Sequence, residues 1–347
     1  MTDMEIVKLI GAVGSPYTRK MISLLRYRHI PYRLTWGQPE MALPAMGLEV
    51  PRPVLLPTFV LPDAEGDMKA VTDSTPIIRQ LEATSPERSV LPSNPALAFI
   101  DYLLEDFGDE WVTKYMFHYR WYFEADADNA GTLLPFNYIM NMPNEQHQQF
   151  KEMISGRQIP RLYVVGSNDT TAPIIDASYR RYLEAMEAHL NVQPYLLGSR
   201  PAAGDFAMFG QLTQLVGLDP TPRAIAHEVS PRTVMWTSMM EDLSGLEPED
   251  SDWNKPEEMP ETLRGILKEV GRMYVPAMLA NAKAVQAGEK TWEAEIDEAL
   301  WTQQTFPYQA KCLNWIREQY QALGADDRTK VDSILAGTGC DKLTAMN

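Results

Sequence analysis

Residues 56–78 read LPTFVLPDAEGDMKAVTDSTPII, and the organisation of the N-terminal quarter follows from them. Residues 57–61 and 69–72 carry the apolar and β-branched side chains of short strands. The turn-rich Pro62-Asp63-Ala64-Glu65-Gly66-Asp67 between them predicts an antiparallel pair. Thr75-Pro76 then opens a helix to about residue 84, with proline suited to its first turn. Toward the N-terminus, residues 31–36 read as another strand. Residues 15–28 read as a helix with Met21, Leu24 and Leu25 on one face, and residues 5–10 as a first buried strand. The order β-α-β-(α)-β-β-α predicts a small sheet with helices on its faces.

Outward from this unit the pattern changes. Residues 85–95, SPERSVLPSNP, hold three prolines and little periodicity, and read as a linker. Beyond them nearly every segment is helical. Phe99, Leu103, Phe107, Trp111, Tyr115, His118 and Tyr122 follow three- and four-residue steps along one face. Further helices are expected over residues 177–190, from about residue 202 with Phe206, Phe209, Leu212 and Leu215, and over 260–287 and 292–323. The division is therefore an α/β domain over residues 1–88 and an all-α helical bundle over 95–347. The latter includes a C-terminal extension from about residue 253. Two domains suit 347 residues.

Bulk composition narrows the function classes. With 45% hydrophobic residues and dispersed prolines, the chain can build a sizeable core. Its formal charge of −16 works against nucleic acid and anionic membranes as partners, because phosphate binding gains from clustered cations. Met1-Thr2-Asp3-Met4-Glu5 carries acid where a secretory signal carries base. The apolar run over 6–13 is broken by Lys8 and Gly11, and no later stretch approaches the roughly 20 apolar residues of a membrane span. A cytoplasmic protein is expected. Cys312 and Cys340 are the only cysteines, so neither a disulfide framework nor a nucleophilic thiol in the first domain is expected. The five histidines lack ligand spacing, and no metal is expected.

Three features of the first domain belong together. Ser15 sits where strand one gives way to helix one, beside free backbone N–H groups and the positive end of the helix dipole. Such a hydroxyl can donate to a bound thiolate; read locally, it is a helix cap. Lowering a thiol pKa by about two units from about 8.5 takes roughly 2.7 kcal/mol. A hydrogen bond to a charged acceptor, about 1.5–3 kcal/mol, together with the dipole supplies that. Leu56-Pro57 precedes the third strand. A cis bond there would leave the Leu56 backbone as an edge for a short peptide, and a trans bond would simply start an edge strand. Asp73-Ser74-Thr75-Pro76 stands at another helix N-terminus, where such residues act as caps or meet the carboxylate and ammonium of an amino-acid-like end.

SPYTRK in the first helix, LPTFV before the hairpin and DSTPIIRQLE after it resemble, in order and spacing, the glutathione-binding half of the glutathione transferase superfamily. The segment YLLGSRPAAGDF over residues 195–206 resembles that family's signature before a central helix, with Ala202 in place of the usual Ser or Thr cap. The resemblance implies a thioredoxin-like first domain, with Ser15 as the activating serine. It implies that Leu56, beside a cis Pro57, pairs with the cysteinyl backbone of glutathione, and that Asp73 and Ser74 hold its γ-glutamyl end. Tyrosine-type classes carry tyrosine at the end of strand one, here Ile10-Gly11-Ala12-Val13, and cysteine-type classes need Cys where Ser15 stands. A serine-type transferase is expected. Gln38 and Arg52 are candidates by position for the glycyl carboxylate.

The expected reaction adds the glutathione thiolate to a small hydrophobic electrophile. A glutathione-dependent lyase or isomerase on the same site, or a non-enzymatic binding module, are the alternatives. Trp111, Tyr115 and His118 are candidates for the second-substrate wall, with core packing as the competing reading. The extension is expected to pack on the helical domain and partly cover the cleft, or else to serve dimerisation; a homodimer is expected.

Overall fold

The computed structural model describes residues 6–345. The acidic N-terminal residues, including the start of the first expected strand at Glu5, lie outside the described residues. The chain begins with β1 (Val7–Gly11), α1 (Pro16–Tyr27), β2 (Tyr32–Trp36), α2 (Pro39–Ala45), β3 (Thr58–Pro62), β4 (Met68–Val71) and α3 (Ser74–Thr84). The four strands form one sheet in the order β2-β1-β3-β4. β1 runs parallel to β2 and antiparallel to β3, with Leu9 opposite Phe59, and β3 pairs antiparallel with β4. This is the thioredoxin-like unit expected from residues 56–78, with boundaries shifted by a residue or two.

Residues 85–94 contain no helix or strand. The helical part follows as α4 (Pro95–Phe107), α5 (Thr113–Tyr122), α6 (Glu124–Leu133), α7 (Asn144–Gln158), α8 (Ala172–Leu190), α9 (Ala203–Leu215), α10 (Pro220–Val229) and α11 (Pro231–Met239). A single π-helical turn, Gly108–Val112, joins α4 to α5. Asp205 compensates for the missing hydroxyl at Ala202: its carboxylate accepts from the N–H of Ala202 at 2.9 Å and from that of Leu196 at 3.0 Å. α9 lies against α1 at a close approach that glycine makes possible. A Cβ on Gly210 would stand 2.5 Å from the carbonyl oxygen of Pro16. That contact fixes the N-terminus of α1 on the helical part.

The extension comprises α12 (Glu261–Glu269), a π turn (Val270–Tyr274), α13 (Val275–Ala287), β5 (Thr291–Ile296), β6 (Ala299–Gln304), α14 (Pro307–Ala322), α15 (Ala325–Leu335) and α16 (Asp341–Thr344). The expected helix over residues 292–323 is therefore corrected, since its first part is the β5–β6 hairpin. Burial alternates there with period two, Trp292 and Ile296 on β5 and Trp301 and Gln303 on β6 facing inward. Asp297 and Glu298 both take positive φ, 52° and 66°, which closes a two-residue loop matched to strand twist. One continuous core runs from Leu9 and Phe59 in the sheet through Phe107, Tyr115 and Tyr179 to Ile316 and Leu335 in the extension. Among the described residues, no helix is long and apolar enough to cross a membrane.

Candidate functional site

Pro16 occupies the first turn of α1, so the free N–H groups there must be satisfied from outside the helix. Ser15 provides one partner: its Oγ accepts from the Thr18 N–H at 3.2 Å. Its own proton goes to the Leu56 carbonyl at 3.3 Å. Ser15 is thus a helix cap and, with the same atom, a tether to the strand that carries Leu56. The second bond is longer than the usual O–H···O separation of about 2.7–2.8 Å. A charged acceptor at that place would take the proton in preference to a carbonyl, because charge-assisted bonds are about twice as strong. The Tyr17 N–H, one residue into the helix, has no acceptor among the described residues.

The Leu56–Pro57 bond is cis, as is Arg52–Pro53. Pro57 is buried, and the Leu56 side chain packs on Ile10, Leu43 and Val60. The Leu56 N–H donates to no group among the described residues. Its carbonyl takes the Ser15 proton, so this edge is half open rather than wholly free.

Asp73 precedes α3 with φ of 82° and does not cap its own helix. Its Oδ2 accepts instead from the hydroxyl of Tyr308, at 2.6 Å, from the start of α14. The Ser74 hydroxyl, expected to face a ligand, turns into the protein: it accepts from Lys20 Nζ at 3.0 Å and donates to Asp109 Oδ2 at 3.4 Å. The reason is a buried ionic cluster under the N-terminus of α3. Lys20 is wholly buried, its Nζ 2.9 Å from Glu105 Oε1 and 2.7 Å from Asp109 Oδ2, and Arg79 also pairs with Glu105. Burial works to raise the Glu105 carboxyl, but Arg79 and Lys20 together hold it down to about 2. Asp109 shares only Lys20, and burial prevails, raising it to about 6. What α3 still presents are the N–H groups of Ser74 and Thr75, which meet no acceptor among the described residues.

Trp111, Tyr115 and His118, the candidates for a second-substrate wall, lie inside the helical part. All three are buried: Trp111 Nε1 donates to the Tyr115 hydroxyl at 3.1 Å, which itself lies 2.6 Å from Ser178 Oγ, and His118 Nδ1 lies 2.7 Å from Ser167 Oγ. Burial holds the His118 imidazole down to about 4. The aromatic stripe is enclosed by α8 and by the hairpin, whose Trp301 ring stands 5.5 Å from Trp111. The hydrophobic spacing that suggested a wall marks the bundle core.

Other residues meet the first domain. Gly14 donates to Asn137 Oδ1 at 2.9 Å and accepts from Arg120 at 3.2 Å, and the Tyr17 hydroxyl donates to the Asp109 carbonyl at 2.7 Å. Gln309, next to Tyr308, donates to the Glu110 carbonyl at 3.4 Å. Burial pushes the Glu110 carboxyl up to about 8, with Asp106 adding to it, and pushes Lys114 down to about 8. Sequence reading missed Lys20 because a lysine mid-helix reads as solvated. It missed Tyr308 because nothing local ties residue 308 to residue 73. Gln38 stands at the N-cap of α2 without a capping bond, and Arg52 is exposed. Two surface cavities of about 500 and 490 Å³ share Gly217, Leu218, Arg223 and His227; neither is lined by Ser15, Leu56 or Asp73.

Residues 9–89 match the family described as glutathione S-transferase, N-terminal domain. Comparison with curated proteins gives no match. Among solved structures, a glutathione S-transferase from Rhodospirillum rubrum F11 is 18% identical, with 68% of this chain and 88% of that one covered and a TM-score of 0.40. A glutathione transferase family member from Pseudomonas fluorescens pf-5, described with two glutathione bound, is 15% identical over 69% and 89%, at 0.42. FzlA from C. crescentus is 15% identical over 66% and 90%, at 0.39.

Proposed function

We propose that this chain, whose residues 9–89 match the family described as glutathione S-transferase, N-terminal domain, binds glutathione at the mouth of α1 and adds its thiolate to a small hydrophobic electrophile, as a serine-type transferase. The observation that carries the reading is Ser15 Oγ standing 3.3 Å from the Leu56 carbonyl, with the Leu56 N–H unpaired among the described residues. A cysteinyl backbone pairing with Leu56 brings its sulfur to the serine, which exchanges a neutral acceptor for an anionic one. The N–H groups of Ser74 and Thr75, unpaired among the described residues, suit the α-carboxylate of the γ-glutamyl end, and Asp73 suits its ammonium. The thiol proton leaves to solvent. The sulfur electron pair forms the new S–C bond as the leaving group departs with its own pair. Rate gain comes from thiolate supply and orientation. A cytoplasmic homodimer belongs to the same reading.

A second reading, a binding module without turnover, draws on a specific observation. The hydroxyls of Ser15 and Ser74 and the Asp73 carboxylate all have partners within the chain. Incubating the protein with glutathione and a panel of hydrophobic electrophiles, with product analysis by mass, separates these readings and the lyase or isomerase alternative. The transferase reading expects a conjugate, and Ser15→Ala is expected to lower kcat/KM by about 10- to 100-fold, the worth of a charge-assisted hydrogen bond. Glutathione binding with no product from any electrophile favours the module.

A further inference from the structure

The one partner of the Asp73 side chain among the described residues is Tyr308, 235 residues further along the chain. Among the described residues the carboxylate forms no ion pair, and its Oδ1 accepts no hydrogen bond. Tyr308 is held firmly. Pro307 begins α14, and the residue before it, Phe306, is clamped on both backbone groups by the buried side chain of Asn281: its N–H donates to Asn281 Oδ1 at 2.7 Å and its carbonyl accepts from Nδ2 at 2.9 Å. The Tyr308 ring packs between Phe306, at 6.1 Å, and Trp315, edge-on at 6.2 Å. Gln309 fastens the same turn to the Glu110 carbonyl. Burial pushes the Tyr308 hydroxyl well above the ordinary tyrosine range, so it remains a donor at any physiological pH.

We propose that Tyr308 is a positioning residue of the ligand site: by occupying Asp73 Oδ2 it fixes the carboxylate and leaves Oδ1 as the acceptor for a ligand's primary ammonium. The inference rests on the glutathione reading and deepens it. The extension becomes a structural part of the ammonium subsite, contributed by the same chain. The substrate class it selects is γ-glutamyl peptides with a free α-ammonium, over thiols whose amine is acylated. A fixed carboxylate needs no ordering when the ammonium arrives, which is where the gain in affinity originates. An unpaired carboxylate on a tethered helix start also supplies the charge that a neutral acyl amide cannot use.

The test compares glutathione with N-acetylglutathione by calorimetry on the full chain, in the wild type and in Tyr308→Phe, which keeps the ring packing. The wild type is expected to prefer glutathione by about tenfold. Tyr308→Phe is expected to weaken glutathione by about three- to tenfold, the worth of one orienting hydrogen bond, while N-acetylglutathione binding stays unchanged, so that the preference collapses. In an Asp73→Asn background, Tyr308→Phe is expected to have no further effect on either compound. A merely structural tyrosine would move both ligands together, and that outcome overturns the proposal. An unchanged preference, or tighter glutathione binding in Tyr308→Phe, also overturns it while leaving the glutathione reading intact. A wild type that binds neither compound removes both.

Discussion

Replacing Lys20 with methionine preserves the length of the side chain and deletes the ammonium that joins Ser74 of the first domain to Glu105 and Asp109 of the second. Glu105 retains Arg79, but Asp109 keeps no cation, and its Oδ1 already lacks a partner. Breaking a buried pair by removing one member costs about 3–5 kcal/mol, chiefly the uncompensated charge left behind. The cost must depend on pH, with a definite sign. The Asp109 carboxyl is raised from its ordinary value near 3.8 to about 6 even with Lys20 present. A raised acid stabilises the folded state below its unfolded pKa and loses that contribution as pH rises through its folded pKa. At about pH 5 Asp109 is largely protonated in both proteins, so the variant forfeits mainly the Lys20–Glu105 contact. At about pH 7.5 the wild type has a paired carboxylate and the variant an unpaired one. Urea unfolding is therefore expected to show a deficit of about 3–5 kcal/mol at the higher pH and roughly half of it at the lower. A deficit under about 1 kcal/mol, or one equal at both pH values, refutes the assignment of Asp109 as the partner that titrates.

Two further substitutions probe the corrected parts of the structure. Tyr115→Phe strips an acceptor from the buried Trp111 N–H and a partner from Ser178, and is expected to lower stability by about 1–3 kcal/mol. The KM for any electrophile is expected to stay unchanged, and a raised KM would return Tyr115 to the ligand cleft. Gly271→Ala places a Cβ 1.9 Å from the Thr338 carbonyl oxygen, a backbone atom that cannot step aside cheaply. The variant is expected to lose about 1–3 kcal/mol and to expose residues 336–345 to protease; an unchanged melting temperature and cleavage rate would mean that the C-terminal turn does not lean on the π turn.

The order of elements through residue 84 was legible because each carries its own local signal: short apolar and β-branched runs in β3 and β4, a turn between them, and proline at the helix starts. The Asp205 cap is local in the same way, its partner Ala202 being three residues away. Tertiary pairings were not. Lys20 turns inward only because Glu105 and Asp109, 85 and 89 residues on, accept it, and Ser74 because Lys20 and Asp109 hold its hydroxyl. Trp111, Tyr115 and His118 sit at the helical spacing that serves a cleft wall and a bundle core equally. Only the positions of α8 and of the hairpin decide between the two. The hairpin itself was misread because the period-two burial of Trp292 and Ile296, and of Trp301 and Gln303, on either side of the Asp297-Glu298 loop was overlooked. Around the mouth of α1, Ser15 and Leu56, singled out in the sequence, meet through a hydrogen bond, and the tyrosine that holds Asp73 could only be found in three dimensions.

The thiolate is the claim on which the rest stands, and calorimetry of glutathione binding in buffers of different ionisation enthalpy counts the protons released as it forms. Near neutral pH the wild type is expected to release close to one proton per glutathione bound, and Ser15→Ala to bind with release close to zero. Binding without proton release, or an equal release from both proteins, would contradict the account.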